Sequence, residues 1–236
     1  MAKLSEPISP HADRDAVLAT FNVSRETSAR LDRFADLLIH WQRTTNLVAA
    51  STLPTLWPRH IADSLQLLDL APRVDRNAPW TWVDLGTGGG FPGLVIACAL
   101  AETPGARVYL IESKSRKAAF LREVAQATDA PAVVHCDRIE DVGPQFRAEA
   151  DIITARGLAP LPELCDLVAP ILKKGAKALL MKGQDLQAEL TEAIKSWNID
   201  FDLAPSRTNP SGQIMIVRAL SRRRGALPQN RGANVV

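Results

Sequence analysis

Tyrosine occurs once in this 236-residue chain, at position 109, and cysteine three times. Cys98, Cys136 and Cys165 stand far apart with no C-x-x-C spacing. That excludes a disulfide framework and a zinc-type cluster, so no metal is expected and a reducing, cytoplasmic setting is the simplest home. The lone tyrosine lies in a strand-like run, which leaves no Tyr-x-x-x-Lys pair of the kind many nicotinamide-dependent oxidoreductases use. Long apolar runs are missing too. Nothing approaches the roughly 20 consecutive residues that span a bilayer, and no membrane association is expected. The opening MAKLSEPISPHADRD carries acids and prolines but no apolar core, so it does not read as a secretory signal. Acidic residues are absent from Arg218 onward, where Arg218, Arg222, Arg223, Arg224 and Arg231 stand alone. The net charge of +2 therefore hides a basic end on a slightly acidic body. Such an end is either a solvated tail or a contact for an anionic partner such as RNA.

What is present is organised in blocks. Residues 1–15 are expected to lack structure, 16–75 to form a helical N-terminal cap, 76–220 the main domain, and 221–236 a basic disordered tail. In the cap, Leu31, Phe34, Leu38, Trp41 and Val48 recur at helical steps behind Ser24, a plausible N-cap with Glu26 in the first turn. A second helix is predicted over His60–Leu70, after the breakers Pro54 and Pro58. From Trp80 the texture changes. Strand-like runs at 80–85, 107–112, 132–136, 151–155 and 176–182 alternate with helical segments, the mark of βαβ units in a mainly parallel sheet. IDFDLAP and GQIMIVRAL flank a turn too short for a crossover helix, so the sheet is predicted to end in an antiparallel hairpin.

The densest chemistry lies in WVDLGTGGGFPGL, residues 82–94. In an open parallel sheet, ligands bind beyond the carboxyl ends of the strands. Four glycines between Gly86 and Gly90 exceed what a turn requires, and they let a ligand approach the main chain closely. Read from Gly86, the dinucleotide fingerprint G-x-G-x-x-G fails at its third glycine, where Phe91 stands. The pattern Asp-x-Gly-x-Gly-x-Gly fits instead, with Asp84 expected to face a cationic part of the ligand. Glu112 ends the second strand-like run, where an acid is placed to accept from ribose hydroxyls or simply to cap a helix. The polar turn around Ile139 and Glu140 could clasp a nucleobase, and Arg156 and Lys182 end the fourth and fifth runs, where a cation could meet a carboxylate or phosphate.

Taken in order, "LLIHWQRTTNLVA", "RHIADSL", "DLGTGGGFPGLVIA", "ESKSRKAAFLREV", "DRIEDV", "ITARGLAPLPEL" and "LLMKGQ" resemble the glucose-inhibited division protein B family, over about residues 20–218. Its members are class I S-adenosylmethionine-dependent methyltransferases that modify a guanine N7 in bacterial 16S ribosomal RNA. The resemblance implies a Rossmann-like doubly wound α/β sheet ending in an antiparallel hairpin, with an N-terminal helical extension. It implies cofactor contacts at Gly86, Phe91, Ile139, Glu140 and Arg156, with Phe91 as a packing wall, beside Gly88 and Glu112, to which the residue pattern itself points. Two departures stand out: Thr154 opens the "SRA"-like segment, and Gly89 replaces a frequent proline. The expected partner is 16S ribosomal RNA or the small ribosomal subunit, met by a monomer. Candidate RNA contacts are His60, Lys114, Lys117, Arg122 and Lys182. No catalytic dyad is visible. A methyltransferase for another RNA or a small molecule, and an NAD(P)-dependent oxidoreductase, remain as alternatives.

Overall fold

A computed structural model describes residues 11, 13–71 and 80–223. Most of the segment expected to lack structure, and the tail from residue 224, lie outside these bounds. Inside them, helix α1 (Arg14–Thr20) already opens at Arg14, within the 1–15 stretch. Helix α2 (Arg25–Gln42) begins where Ser24 predicts, the Ser24 hydroxyl accepting from the Thr27 N–H at 3.1 Å. Leu31, Phe34, Ala35 and Leu38 form its buried face. Val48 does not belong to this helix; it lies past the end at Gln42, in a loop whose shape the Gln42 amide fixes. That side chain accepts from the Leu47 and Val48 N–H groups and donates to the Val48 carbonyl.

The second helical stretch also starts earlier than predicted. A π-helical turn at Trp57–Ala62 runs into α3 (Asp63–Leu65) and α4 (Leu67–Leu70). Pro58, a helix breaker by residue type, occupies the first turn, where a missing N–H leaves nothing unpaired.

Seven strands then build one sheet: β1 (Thr81–Leu85), β2 (Arg107–Ile111), β3 (Ala132–His135), β4 (Ile152–Arg156), β5 (Lys177–Lys182), β6 (Trp197–Pro205) and β7 (Gln213–Arg222). The order is β3-β2-β1-β4-β5-β7-β6. The first five are parallel, whereas β7 runs antiparallel to both β5 and β6. The terminal hairpin is thus present, and β7 slots between β5 and the edge strand β6. It continues to Arg222, two residues into the expected tail.

Alternation along the strands feeds two cores. Trp82, Val108, Leu110, Ile152 and Leu179 face one side, with α2, α5 (Gly93–Leu100) and α6 (Ser115–Thr128). Val83, Leu85, Ile153, Ala178 and Leu180 face the other, with α8 (Leu161–Val168) and α9 (Leu186–Ser196). Between β3 and β4 lie only the short α7 (Ile139–Val142) and a 3₁₀ segment, Gly143–Ala148. The N-terminal helices share the first core with the sheet: Phe34 packs on Phe120 of α6 at 6.2 Å between ring centroids.

The contact of α5 with β1 is close enough to require glycine. A Cβ on Gly93 would stand 2.3 Å from Leu110 Cδ2 and 2.6 Å from Asp84 Oδ2. Gly93→Ala is therefore expected to lower stability by about 1–3 kcal/mol, the usual range for overpacking. An unchanged urea midpoint in the variant would mean that helix and strand separate freely.

Candidate active site

Strand order reverses between β1 and β4, and ligand sites of open α/β sheets form at that point, beyond the carboxyl ends. Here β1 ends at Leu85 and the chain turns through Gly86 at φ +63°. Only glycine enters that region cheaply, and a Cβ there would also lie 2.5 Å from Leu158 Cδ1. Gly89 meets a different neighbour. A Cβ would come 2.8 Å from the Leu47 carbonyl oxygen, so glycine lets the N-terminal segment press onto the loop.

Asp84 does not face a ligand. It is 1% exposed; one oxygen accepts from the Gly93 N–H at 2.9 Å and the other from the Thr154 hydroxyl at 2.7 Å. Burial pushes its carboxyl up to about 6, against those hydrogen bonds. Its work is to tie β1, α5 and β4 together beneath the loop. Gly93 corrects the fingerprint reading as well. The close-packing glycine is not missing at Phe91; it stands two residues later, in a G-x-G-x-x-G frame that begins at Gly88.

Glu112, also buried, accepts from the Gly88 N–H at 3.1 Å and the Lys114 N–H at 2.7 Å. A carboxylate has about four acceptor positions, so two remain beyond this backbone work. Around these residues lies a cleft of about 900 Å³. Gly86, Gly88, Phe91, Glu112, Ile139, Glu140 and Arg156 all line it. So do Leu47 and Val48, which the sequence reading did not assign to the site. Its size suits a nucleoside-sized ligand. In sheet order the cleft runs from Ile139 and Glu140 after β3, past Glu112 just after β2 and the glycine loop after β1, to Arg156 at the end of β4.

At the far end stands a packed junction. Phe91 is 4% exposed and lies between Phe34 (ring centroids 5.1 Å apart) and His60 (4.9 Å), with Arg156 Cζ 5.2 Å from its ring centre. Arg156 donates to His60 Nδ1 at 2.8 Å, to Asp63 at 3.3 Å and to the Arg59 carbonyl at 3.4 Å. A guanidinium has no acceptor, so Nδ1 must accept, and the histidine is neutral with its proton on Nε2. That proton goes to Thr52 Oγ1 at 2.8 Å, and Thr52 donates onward to the Ala49 carbonyl. Desolvation, with Arg156 and Arg59 nearby, holds His60 down at about 3.

The candidate RNA contacts are not gathered in one place. Lys117 lines the large cleft, Lys114 and Arg122 are exposed on and beside α6, and His60 is buried in the junction. Lys182 is held by Glu189 and by the Ala159 carbonyl at 3.1 Å. Among the described residues, no group of three or more His, Cys, Asp or Glu side chains could hold a metal, and no helix is long and apolar enough to cross a membrane. Asp63 and Gln42 were missed. The only available signal for Asp63 was its place on the same helical turn as His60.

A family model described as rRNA small subunit methyltransferase G matches residues 27–211. Curated proteins named ribosomal RNA small subunit methyltransferase G are similar along most of the chain. The one from Bradyrhizobium sp. (strain ORS 278) is 54% identical over 212 residues, covering 90% of this chain and 93% of its own. The one from Nitrobacter hamburgensis is 54% identical, covering 90% of this chain and 80% of its own. Among solved structures, a SAM-dependent methyltransferase from Aquifex aeolicus superposes with a TM-score of 0.52 at 13% identity, over 70% of this chain and 92% of that one, a likeness of fold.

Because His60 titrates near 3 rather than its ordinary 6.5, its contribution is complete above pH 6.5 and is lost as pH falls toward 3. His60→Asn keeps an acceptor for Arg156 but cannot titrate. Its stability should fall less than the parent's across that window, measured by urea unfolding at stepped pH. Parallel curves would contradict a buried neutral imidazole.

Proposed function

The chain belongs to the rRNA small subunit methyltransferase G family, S-adenosylmethionine-dependent enzymes of 16S ribosomal RNA guanine N7, and from that membership we propose how this cleft serves the reaction. The observation that carries the reading is the convergence of the glycine loop, Glu112, Ile139, Glu140 and Arg156 on one cleft beside the β1–β4 switch point. Gly86 and Gly88 give close backbone approach, and the remaining acceptors of Glu112 take ribose hydroxyls. Ile139 and Glu140 flank the base, and Arg156 pairs with the amino-acid carboxylate.

When bound, the cofactor supplies an electrophilic methyl group on a sulfonium. Guanine N7 already carries a lone pair and no proton, so the protein has no proton to remove before attack. Gly86, Gly88, Glu112, Ile139, Glu140 and Arg156 would hold that donor, and the chemistry it would supply is methyl transfer to N7 with the C–S electron pair left on sulfur. What the chain contributes is orientation and exclusion of water. His60 is consistent with this role, since a group neutral above pH 3 and bonded at both nitrogens holds Arg156 rather than moving protons. The helical cap seals the cleft through Leu47 and Val48. We place the protein in the cytoplasm as a monomer, with Lys114, Lys117 and Arg122 meeting RNA phosphates.

Incubation of the full chain with labelled cofactor and either free 16S RNA or small subunits should yield one labelled guanine carrying a methyl group at N7. Label on another RNA, or on another atom, would overturn the reading. Gly86→Val adds a branched side chain at positive φ against Leu158 and should abolish cofactor binding by calorimetry while the circular dichroism of the fold persists. Parental affinity would remove the loop from the cofactor site.

A further inference from the structure

One of the candidate RNA cations is already engaged inside the fold. Lys182 ends β5, yet only 9% of its side chain is exposed. Its ammonium forms an ion pair with Glu189 of α9 and donates to the Ala159 carbonyl at 3.1 Å. Glu189 in turn accepts from the Leu161 N–H at 2.7 Å. The pair thus binds the main chain on both sides of Pro160, which has no N–H of its own to offer. Leu161 opens α8, and a carboxylate on the first amide of a helix is well placed against its dipole. Residues of β5 and α9 therefore hold the turn between β4 and α8.

That turn is a wall of the cleft. Gly157, Leu158 and Ala159 line it beside Arg156. Gly157 adopts φ +59° with open space where a Cβ would stand, so glycine serves the backbone shape there and not a close approach. Leu158 is the opposite case. A Cβ on Gly86 would come 2.5 Å from its Cδ1, so the leucine already closes on the glycine loop. Arg156, bound to His60 and Asp63, fixes one end of this segment. Lys182 and Glu189 fix the other.

We propose that Lys182 and Glu189 are positioning residues for the methyl donor: acting as one clamp, they set Leu158 against Gly86 and so the width of the cleft, and Lys182 takes no part in RNA capture. The assignment rests on the functional reading above, since the clamp matters to the reaction only if the donor sits in this cleft. Neither side chain lines the cleft, so both act through the turn. Neutralising either partner leaves the other charge without its counter-ion in a confined place, and moving the turn relieves that. An RNA phosphate reaches the Lys182 ammonium only after the ion pair and the carbonyl bond are given up.

The test uses the full chain with Lys182→Met, Glu189→Gln, the double variant and Lys182→Arg. Each of the first two should raise KM for S-adenosylmethionine, and its dissociation constant by calorimetry, roughly tenfold, as for other residues that orient a binding group indirectly. With saturating donor, kcat should stay parental, because only binding is lost. A loss of stability alone would do the reverse, lowering kcat through the folded fraction and leaving KM unchanged, and would overturn the proposal. The double variant should also lose roughly tenfold, whereas independent sites would lose roughly a hundredfold and contradict a single clamp. Lys182→Arg keeps the charge and should regain most of the affinity. In Lys182→Met the slope of log K for RNA against log salt should remain parental; a fall of about 0.7–0.9 would assign Lys182 to a phosphate and overturn the proposal. Parental donor affinity in both single variants would overturn it too. Glu189→Gln keeps an acceptor for the Leu161 N–H, so it decides the matter if Lys182→Met does not fold. A parent chain that binds no S-adenosylmethionine fails the functional reading itself, a result visible before any variant is compared.

Discussion

The site depends on one buried carboxylate. Asp84 sits in β1 at the centre of the sheet, flanked in register by Leu110 of β2 and Thr154 of β4. Placing an acid there is expensive unless its lone pairs are used. They are, by the amide that opens α5 and the hydroxyl of β4. The same two bonds fix where β1 ends, how the glycine loop leaves it and where α5 begins. A loop of glycines is otherwise the least constrained stretch a chain can have. Asp84 anchors it beneath, Glu112 holds Gly88 from the side, and Leu47 lies against Gly89 from outside. A flexible composition thus yields a single shape.

A second constraint radiates from Phe91. Its ring joins α2 through Phe34, the π-helical turn through His60, and β4 through Arg156. A guanidinium over an aromatic face contributes roughly 0.5–2 kcal/mol, depending on desolvation. The larger effect is directional: with Asp63 and His60 binding its nitrogens, Arg156 has little freedom to turn. The wall that Arg156 gives the cleft is consequently rigid, and it is made of residues from both the N-terminal helices and the sheet.

Much of the fold was legible because its signals are local. Short apolar runs such as RVYLIE and AKALLMK mark strands by composition, and the brevity of SRTNPSG forces an antiparallel return. The convergence of Gly86, Glu112 and Arg156 on one cleft was legible because they stand at or just past strand ends, where topology brings them together. What escaped depends on contacts across long separations. Pro58 looks like a breaker until the first turn of the helix is located. Gly93 becomes a packing residue only when Leu110 of the neighbouring strand is in place. Asp84 reads equally well as a ligand-facing acid, since nothing near it in the sequence announces Thr154, 70 residues away. Asp63 and Arg59 carry no motif that separates them from other helix-surface charges.

The stitching of Gln66 to the β6–β7 turn has a temporal side. Its partners Ser206, Arg207 and Thr208 lie about 140 positions later, so everything that forms the cleft precedes them in synthesis. A nascent chain released only as far as β5 already contains the glycine loop, Glu112 and Arg156. It lacks the turn that binds Asp63 and Gln66. Every residue that lines the cleft is therefore synthesised before the hairpin whose turn binds Asp63 and Gln66, and the fold is complete only when that last hairpin returns to the first helices.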